Sequence, residues 1–160
     1  MEMFEKILLA VDGSPFSADA LRVASNLAVK LGAQVEVVHV HEHETYGSKA
    51  GAVADLETPE ESGTVLAGAI AELTGHGVPA HARLLQARRT DVAAKIIEAA
   101  DAVGAELIVV GSRGLSNLSA ILLGSVSESL VRHARRPVLV VHEVTGVEAS
   151  AEPVGASTTA

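Results

Sequence analysis

Short, continuously apolar stretches alternate along this chain with longer ones in which apolar residues return every three or four positions. Ile7 to Val11, Leu107 to Val110 and Val138 to Val141 are of the first kind, and valine-rich Val35 to His41 joins them. Their length suits strands covered on both faces. Ala80 to Leu85 is a fifth, less apolar and broken by Arg83, as suits a sheet edge. Between them, Leu21, Ala24, Ala28 and Leu31 share one helical face behind Ser14-Pro15, which supplies a cap and a first-turn proline. Thr58-Pro59-Glu60-Glu61 reads as a capping box opening a second helix with Leu66, Ala69, Ile70 and Leu73 on its apolar side. Thr90-Asp91 opens a third, carrying Val92, Ile96, Ala99 and Val103, and Ser125 to Ala134 forms a fourth. Gly32, the pair Gly75 and Gly77, and Gly104 stop the first three. Five strands alternating with four helices require parallel pairing through right-handed crossovers, hence a three-layer α/β sandwich. Glu42 to Glu57 is polar, contains Gly47 and Gly51, and exceeds an ordinary connection, which predicts a lid or a mobile loop.

The chain has 160 residues, 48% of them hydrophobic, enough for one domain with a sizeable core. That domain is assigned to residues 1–143, and the aperiodic Gly/Ala/Ser/Thr/Glu stretch 144–160 is expected to be a disordered tail. Phe4, Phe16 and Tyr46 are the whole aromatic complement, so platforms for stacking nucleic-acid bases are not expected. A formal charge of −8 opposes non-specific attraction to nucleic acid or anionic lipid, so any phosphate must be held locally. No cysteine is present, which excludes disulfides and thiolate metal sites. With neither a signal-peptide pattern at Met1–Lys6 nor an apolar run near the ~20 residues of a membrane span, a cytoplasmic location is expected.

The densest chemistry lies between the fourth strand and the last helix, where Gly111-Ser112-Arg113-Gly114 is followed, after nine residues, by Gly124-Ser125. Glycines there let backbone N–H groups close around a phosphate, since a Cβ would block the approach and first-turn amides of a helix lack internal partners. Ser125-Val126-Ser127-Glu128 also matches a capping box, in which Ser125 and Glu128 would spend donors that a phosphate needs. An ordinary glycine turn before a capped helix is the competing reading of this segment.

From Phe4 to His142 the chain resembles the universal stress protein family, in its ATP-binding branch. The resemblance rests on Val11-Asp12-Gly13-Ser14, His39-Val40, Val109 to Gly114, Gly124-Ser125-Val126-Ser127 and Arg136 to Val141, with the glycine spacing reproduced without insertion. It implies a sheet ordered 3-2-1-4-5, similar to the adenine nucleotide alpha hydrolases, with a ligand at the switch point between strands one and four. By that similarity Ala10, Val11 and Asp12 meet adenine and ribose and Val40 lines the base pocket. Gly111, Arg113 and Gly114 approach the phosphates from one side, and Gly124, Ser125, Val126 and Ser127 from the other. The ligand it implies is ATP, with AMP or ADP as variants and Mg²⁺ on the phosphates. A homodimer through Val138–Val141 is expected as well, because an apolar edge strand invites a second copy.

Other constellations have plainer readings. His39, His41 and His43 alternate on one strand face and are able to hold a metal, but histidines so placed are more often hydrogen-bonded within the fold, and no metal ligand is assigned. Asp12 lacks the acidic neighbour of a phosphoacceptor. Arg88-Arg89 and Arg135-Arg136 read as solvated charge pairs. Walker, dinucleotide and nucleophile-elbow signatures are absent, and the acidic charge argues against reading Gly111–Gly114 as an RNA-binding loop. The expected role is therefore a nucleotide-dependent sensor or regulatory module of the stress response, without assigned catalytic residues. A slow ATPase or phosphotransfer enzyme, with Ser112 or Ser127 as acceptor, is one alternative, and a dimeric interaction protein with an empty pocket is another.

Overall fold

The computed structural model describes residues 3–46, 52–55, 57–114 and 123–143. In chain order the elements are β1 (Lys6–Ala10), α1 (Pro15–Leu31), β2 (Gln34–Tyr46), β3 (Ala52–Asp55), α2 (Pro59–Gly75) and β4 (Ala80–Arg88). A single 3₁₀ turn (Arg89–Asp91), α3 (Val92–Val103), β5 (Leu107–Gly111), α4 (Ser125–His133) and β6 (Val138–Val141) complete it. The expectation for residues 144–160 lies outside the described residues.

Five strands pair in parallel in the order β4-β2-β1-β5-β6, which is the 3-2-1-4-5 order of the five predicted strands. Ile7 sits opposite both Val35 and Leu107, and Ile108 opposite Val138. The central strands are buried on both faces, as their unbroken apolar sequences require. Ile7, Leu9, Val35, Val37 and Val109 pack against Leu21 and Ala24 of α1 and Leu66 and Leu73 of α2. Leu8, Ala10, Val38, Ile108 and Val110 pack on the other side against Val92, Ile96 and Ala99 of α3 and Leu130 of α4. Burying a leucine or isoleucine contributes roughly 1.5–3 kcal/mol, and Ile7, Leu8, Leu9 and Ile108 are fully enclosed, so this two-sided core fixes the strand ends between which any ligand must sit.

Two segments differ from the sequence expectation. The predicted loop Glu42–Glu57 is partly strand: β2 runs on to Tyr46, and β3 returns antiparallel to it, with His43 opposite Asp55 and Tyr46 opposite Ala52. Beyond His41 the strand is only partly buried and its residues are polar, and the pairing is held by backbone bonds that composition does not reveal. Arg136, read as one of a solvated pair, instead donates to the carbonyls of Ala100 and Ala105 and to the Asp101 carboxylate, capping the carboxyl end of α3. Helix starts follow expectation more closely. Ser17 N–H donates to Ser14 Oγ (3.1 Å), and Thr58 and Glu61 exchange both bonds of the capping box, at 3.2 and 2.7 Å.

Candidate functional site

Chain connections leave β1 toward β2 and β5 toward β6, so a crevice opens beyond the carboxyl ends of the two adjacent strands. A cavity of about 410 Å³ occupies it. The residues assigned to nucleotide binding from the sequence all line this cavity: Ala10, Val11, Asp12 and Val40, with Gly111, Arg113, Gly114, Gly124, Ser125, Val126 and Ser127, whereas Ser112, the alternative phosphate acceptor, is buried and does not.

One end is polar and built from backbone. Gly111 packs on the start of α1 so closely that a Cβ would stand 2.8 Å from the Phe16 carbonyl carbon. At Gly114 a Cβ would come within 2.7 Å of Asp12 Oδ2, so this glycine is what lets the two loops meet across the switch point. Asp12 is itself fixed, its Oδ1 accepting from Ser14 N–H (2.9 Å) and its own N–H donating to Ser17 Oγ (3.0 Å). Arg113 stacks over the Phe16 ring, 5.8 Å from its centroid.

At α4 the N-cap is Gly124, not Ser125, and Ser125 occupies the first helical position without a side-chain cap bond. Glu128 pairs with Arg132 at 2.8 Å instead of reaching back, so the predicted capping box is not formed. Gly124 N–H donates to Ser112 O (2.7 Å), which leaves the first-turn amides of Ser125, Val126 and Ser127 pointing out of the helix end beside the cavity. The Ser127 hydroxyl is buried and donates to Ser112 O (2.9 Å) and Gly124 O (3.0 Å), so it staples the two glycine segments together rather than serving as a free donor.

The opposite end is apolar, lined by Ala10, Val38, Val40 and Val110 from the sheet and by Val92 and Ile96 of α3, which belong to one core layer. Glu42, Glu57 and Arg89 add charged side chains to the lining. His39, 3% exposed, places Nδ1 at 2.7 Å from Val11 O and Nε2 at 2.5 Å from Glu57 Oε1. Both ring nitrogens therefore face acceptors, and the pair must share a proton: either both ring nitrogens carry one or the Glu57 carboxyl does. His41 Nδ1 lies 3.1 Å from Ser62 Oγ and 3.5 Å from Glu57 Oε1. Glu42 has its carboxyl pushed above the ordinary range, first by burial; Arg89 counteracts this, while Asp12, Glu57 and Glu44 add to it.

Sequence reasoning passed over Val38, His39, Glu42, Glu57, Arg89, Val92 and Ile96 as parts of the site. The signal for Val38 and Glu42 was their period-two relation to Val40, and for Val92 and Ile96 their i,i+4 spacing at the start of α3. For Glu57 and Arg89 no local signal exists, since their positions follow from where the β2–β3 pairing and the 3₁₀ turn deliver them.

Residues 3–142 match the family model described as the universal stress protein family, and the chain belongs to that family. A universal stress protein of Thermus aquaticus is 40% identical over 142 residues, covering 87% of this chain and 99% of the relative. Among solved structures, a universal stress protein family member from Burkholderia pseudomallei has a TM-score of 0.67 at 33% identity, covering 88% of this chain and 98% of the other. One from Archaeoglobus fulgidus, in complex with dAMP, has a TM-score of 0.62 at 25% identity, covering 88% and 99%.

Proposed function

We propose that this chain binds ATP, or another adenine nucleotide, and acts as a stress-response sensor or regulatory module whose state follows the bound ligand. The observation that carries the reading is the division of one cavity into two chemistries. The apolar lining at Val40 and Ile96 suits the faces of a purine, and the glycine-lined end with the first turn of α4 suits phosphate oxygens. Asp12, between the two, is placed to accept from ribose hydroxyls. The dAMP complex of the Archaeoglobus relative supports an adenine ligand. Magnesium accompanying a triphosphate would draw its ligands from phosphate oxygens and water. The protein is further proposed to work in the cytoplasm as a homodimer joined through Val138–Val141.

The test is direct. Mass spectrometry of the ligand released from freshly purified, denatured protein should find an adenine nucleotide. In calorimetry, Gly114→Ala and Gly124→Val should each weaken ATP by tenfold or more, because each Cβ intrudes between the loops, while the circular dichroism spectrum is kept. Unchanged affinity in both variants overturns the phosphate site.

A further inference from the structure

The peptide group between Val11 and Asp12 is pinned from both sides: its carbonyl faces His39 Nδ1 at 2.7 Å, and its N–H donates to Ser17 Oγ at 3.0 Å. Asp12, which that peptide carries into the cavity, therefore depends on the His39 ring for its placement. By strand alternation the ring lies on the face of β2 that Val35 and Val37 turn toward α1 and α2, opposite to Val38 and Val40, and it is buried there. Its other nitrogen, Nε2, stands 2.5 Å from Glu57 Oε1. A neutral imidazole has a single N–H, so it cannot serve a carbonyl and a carboxylate together. Both contacts hold only while one further proton is kept, on the ring or on Glu57. The charged and titratable groups around the pair are His41, Asp12, Glu61, Glu42 and Arg89. His41 Nδ1 faces Ser62 Oγ at 3.1 Å and the same Glu57 oxygen at 3.5 Å, Asp12 accepts from Ser14 N–H, and Glu61 at the start of α2 accepts from Thr58 N–H. β4 sets Leu84 opposite His39, and Glu42 and Arg89 share the cavity lining with the pair.

Resting on the nucleotide reading above, we infer that the proton shared by His39 and Glu57 is a switch on nucleotide binding: while it is held, Val11 and Asp12 are fixed in the cavity, and its loss to solvent as pH rises weakens the bound nucleotide. An imidazole exchanges its proton in the neutral range, where such a switch has a use. Once the proton has left, either Nε2 turns a lone pair on the Glu57 carboxylate or Nδ1 turns one on the Val11 carbonyl. Acceptor then faces acceptor in a buried place, so one of the two contacts opens. In either case a wall of the cavity gives: the Val11–Asp12 segment in one, Glu57, between β3 and α2, in the other. The sign is fixed by the proton count, with the switch closed at low pH and open at high. His39 acts here as a positioning residue, through the Val11 carbonyl.

Calorimetric titration with ATP from about pH 5.5 to about pH 8.5, on the wild type and on Glu57→Gln, tests the switch across the range in which imidazole titrates. The nucleotide's own protonation enters both profiles alike and cancels in their ratio. A glutamine donates an amide N–H to the Nε2 lone pair while Nδ1–H keeps the Val11 carbonyl, so in that variant a neutral ring satisfies both partners and no further proton is needed. Over the range the wild type should lose about tenfold more affinity than Glu57→Gln, whatever the absolute affinity of the variant. Nitrogen NMR of the imidazoles should show the His39 ring signals of the wild type moving over the same pH interval as its affinity. Parallel profiles for the two proteins overturn the switch and leave the nucleotide reading standing. ATP binding at no pH overturns the nucleotide reading itself, and the switch with it. Should Glu57→Gln fail to fold, the wild type decides alone: His39 ring signals that stay constant while the affinity changes overturn the inference.

Discussion

Single residues in this chain differ sharply in how far their surroundings are spoken for. Arg136 is a cation at the carboxyl end of α3, bonded to two carbonyls and a carboxylate, with its Nε buried and unpartnered. Replacing it with methionine keeps the stem's packing but removes the donor to the Ala105 carbonyl and to the Asp101 carboxylate, while Ala100 O keeps the Ala105 N–H, and should cost about 2 kcal/mol in urea unfolding. Arg135→Met, as a neighbouring control on an exposed position, should cost under about 0.5 kcal/mol. Glu42 makes the opposite case. Its folded-state carboxyl is raised above the ordinary 4.5, so the stability it contributes is full below that value and is lost as pH rises through the raised one. Glu42→Gln should therefore be more stable than wild type at pH 7, with the advantage shrinking toward pH 4.5, as followed by thermal unfolding across that range. A constant advantage at every pH would assign the effect to packing. Neither residue's setting was legible in the sequence. Arg136 follows an arginine in a polar run and Glu42 opens what reads as a loop, while the partners that matter lie 31 to 36 residues away for one and, for the other, include Asp12, Glu57 and Arg89 on separate stretches of chain. Gly111, Gly114 and Gly124 were legible because close backbone approach demands a residue without Cβ, and the sequence displays that demand directly.

At the scale of elements, the parallel strands and the caps at Ser14 and Thr58 were readable because period, capping chemistry and burial agree there. The β2–β3 pairing and the start of α4 were not. β3 is held by strand pairing outside the core, and the Ser125 box lost to Gly124, whose amide is claimed by Ser112 O across the loop. His39 joins three elements at once: it sits on β2, bonds the carbonyl of Val11 after β1, and holds Glu57 just ahead of the capping box of α2. His39→Leu keeps the apolar volume but leaves the Val11 carbonyl without its donor and the Glu57 carboxyl without its ring partner. It should destabilise the fold by about 3 kcal/mol, and a Glu57→Gln variant, which retains a group able to bond the ring, by about 1 kcal/mol. The same linkage predicts a local readout. Amides of residues 42–46 should exchange faster in His39→Leu than in wild type under native conditions, and should slow in wild type when ATP is added, because the nucleotide and His39 brace the same strand end. Exchange in 42–46 that is indifferent to both changes would detach the hairpin from the site.

For the molecule as a whole, the two outer strands of the parallel sheet are unlike each other. β4 exposes His81, Arg83 and Arg88 along its length, charges that discourage a second sheet from adding to that edge. Among the described residues β6 pairs only with β5, and Val138, Leu139 and Val140 remain partly exposed although each rests against a core layer, Leu139 on the α1 side and the two valines on the α3 side. An edge strand with apolar side chains on both faces and no charge of its own is suited to a two-fold partner presenting the same segment, since each copy then pairs the other's free N–H and C=O groups and covers its valines. The proposed homodimer follows from that asymmetry. Sedimentation equilibrium should give twice the monomer mass of 16.4 kDa at micromolar concentration, and Val140→Asp combined with Leu139→Lys should shift the protein to monomer while retaining its circular dichroism spectrum. Arg83→Val, made on β4, should leave the mass at that of the wild-type dimer. A wild type that is monomeric at high micromolar concentration, or a double variant that is folded and still dimeric, would remove the β6 interface, and binding of ATP by either species would show that the cavity is complete within one chain.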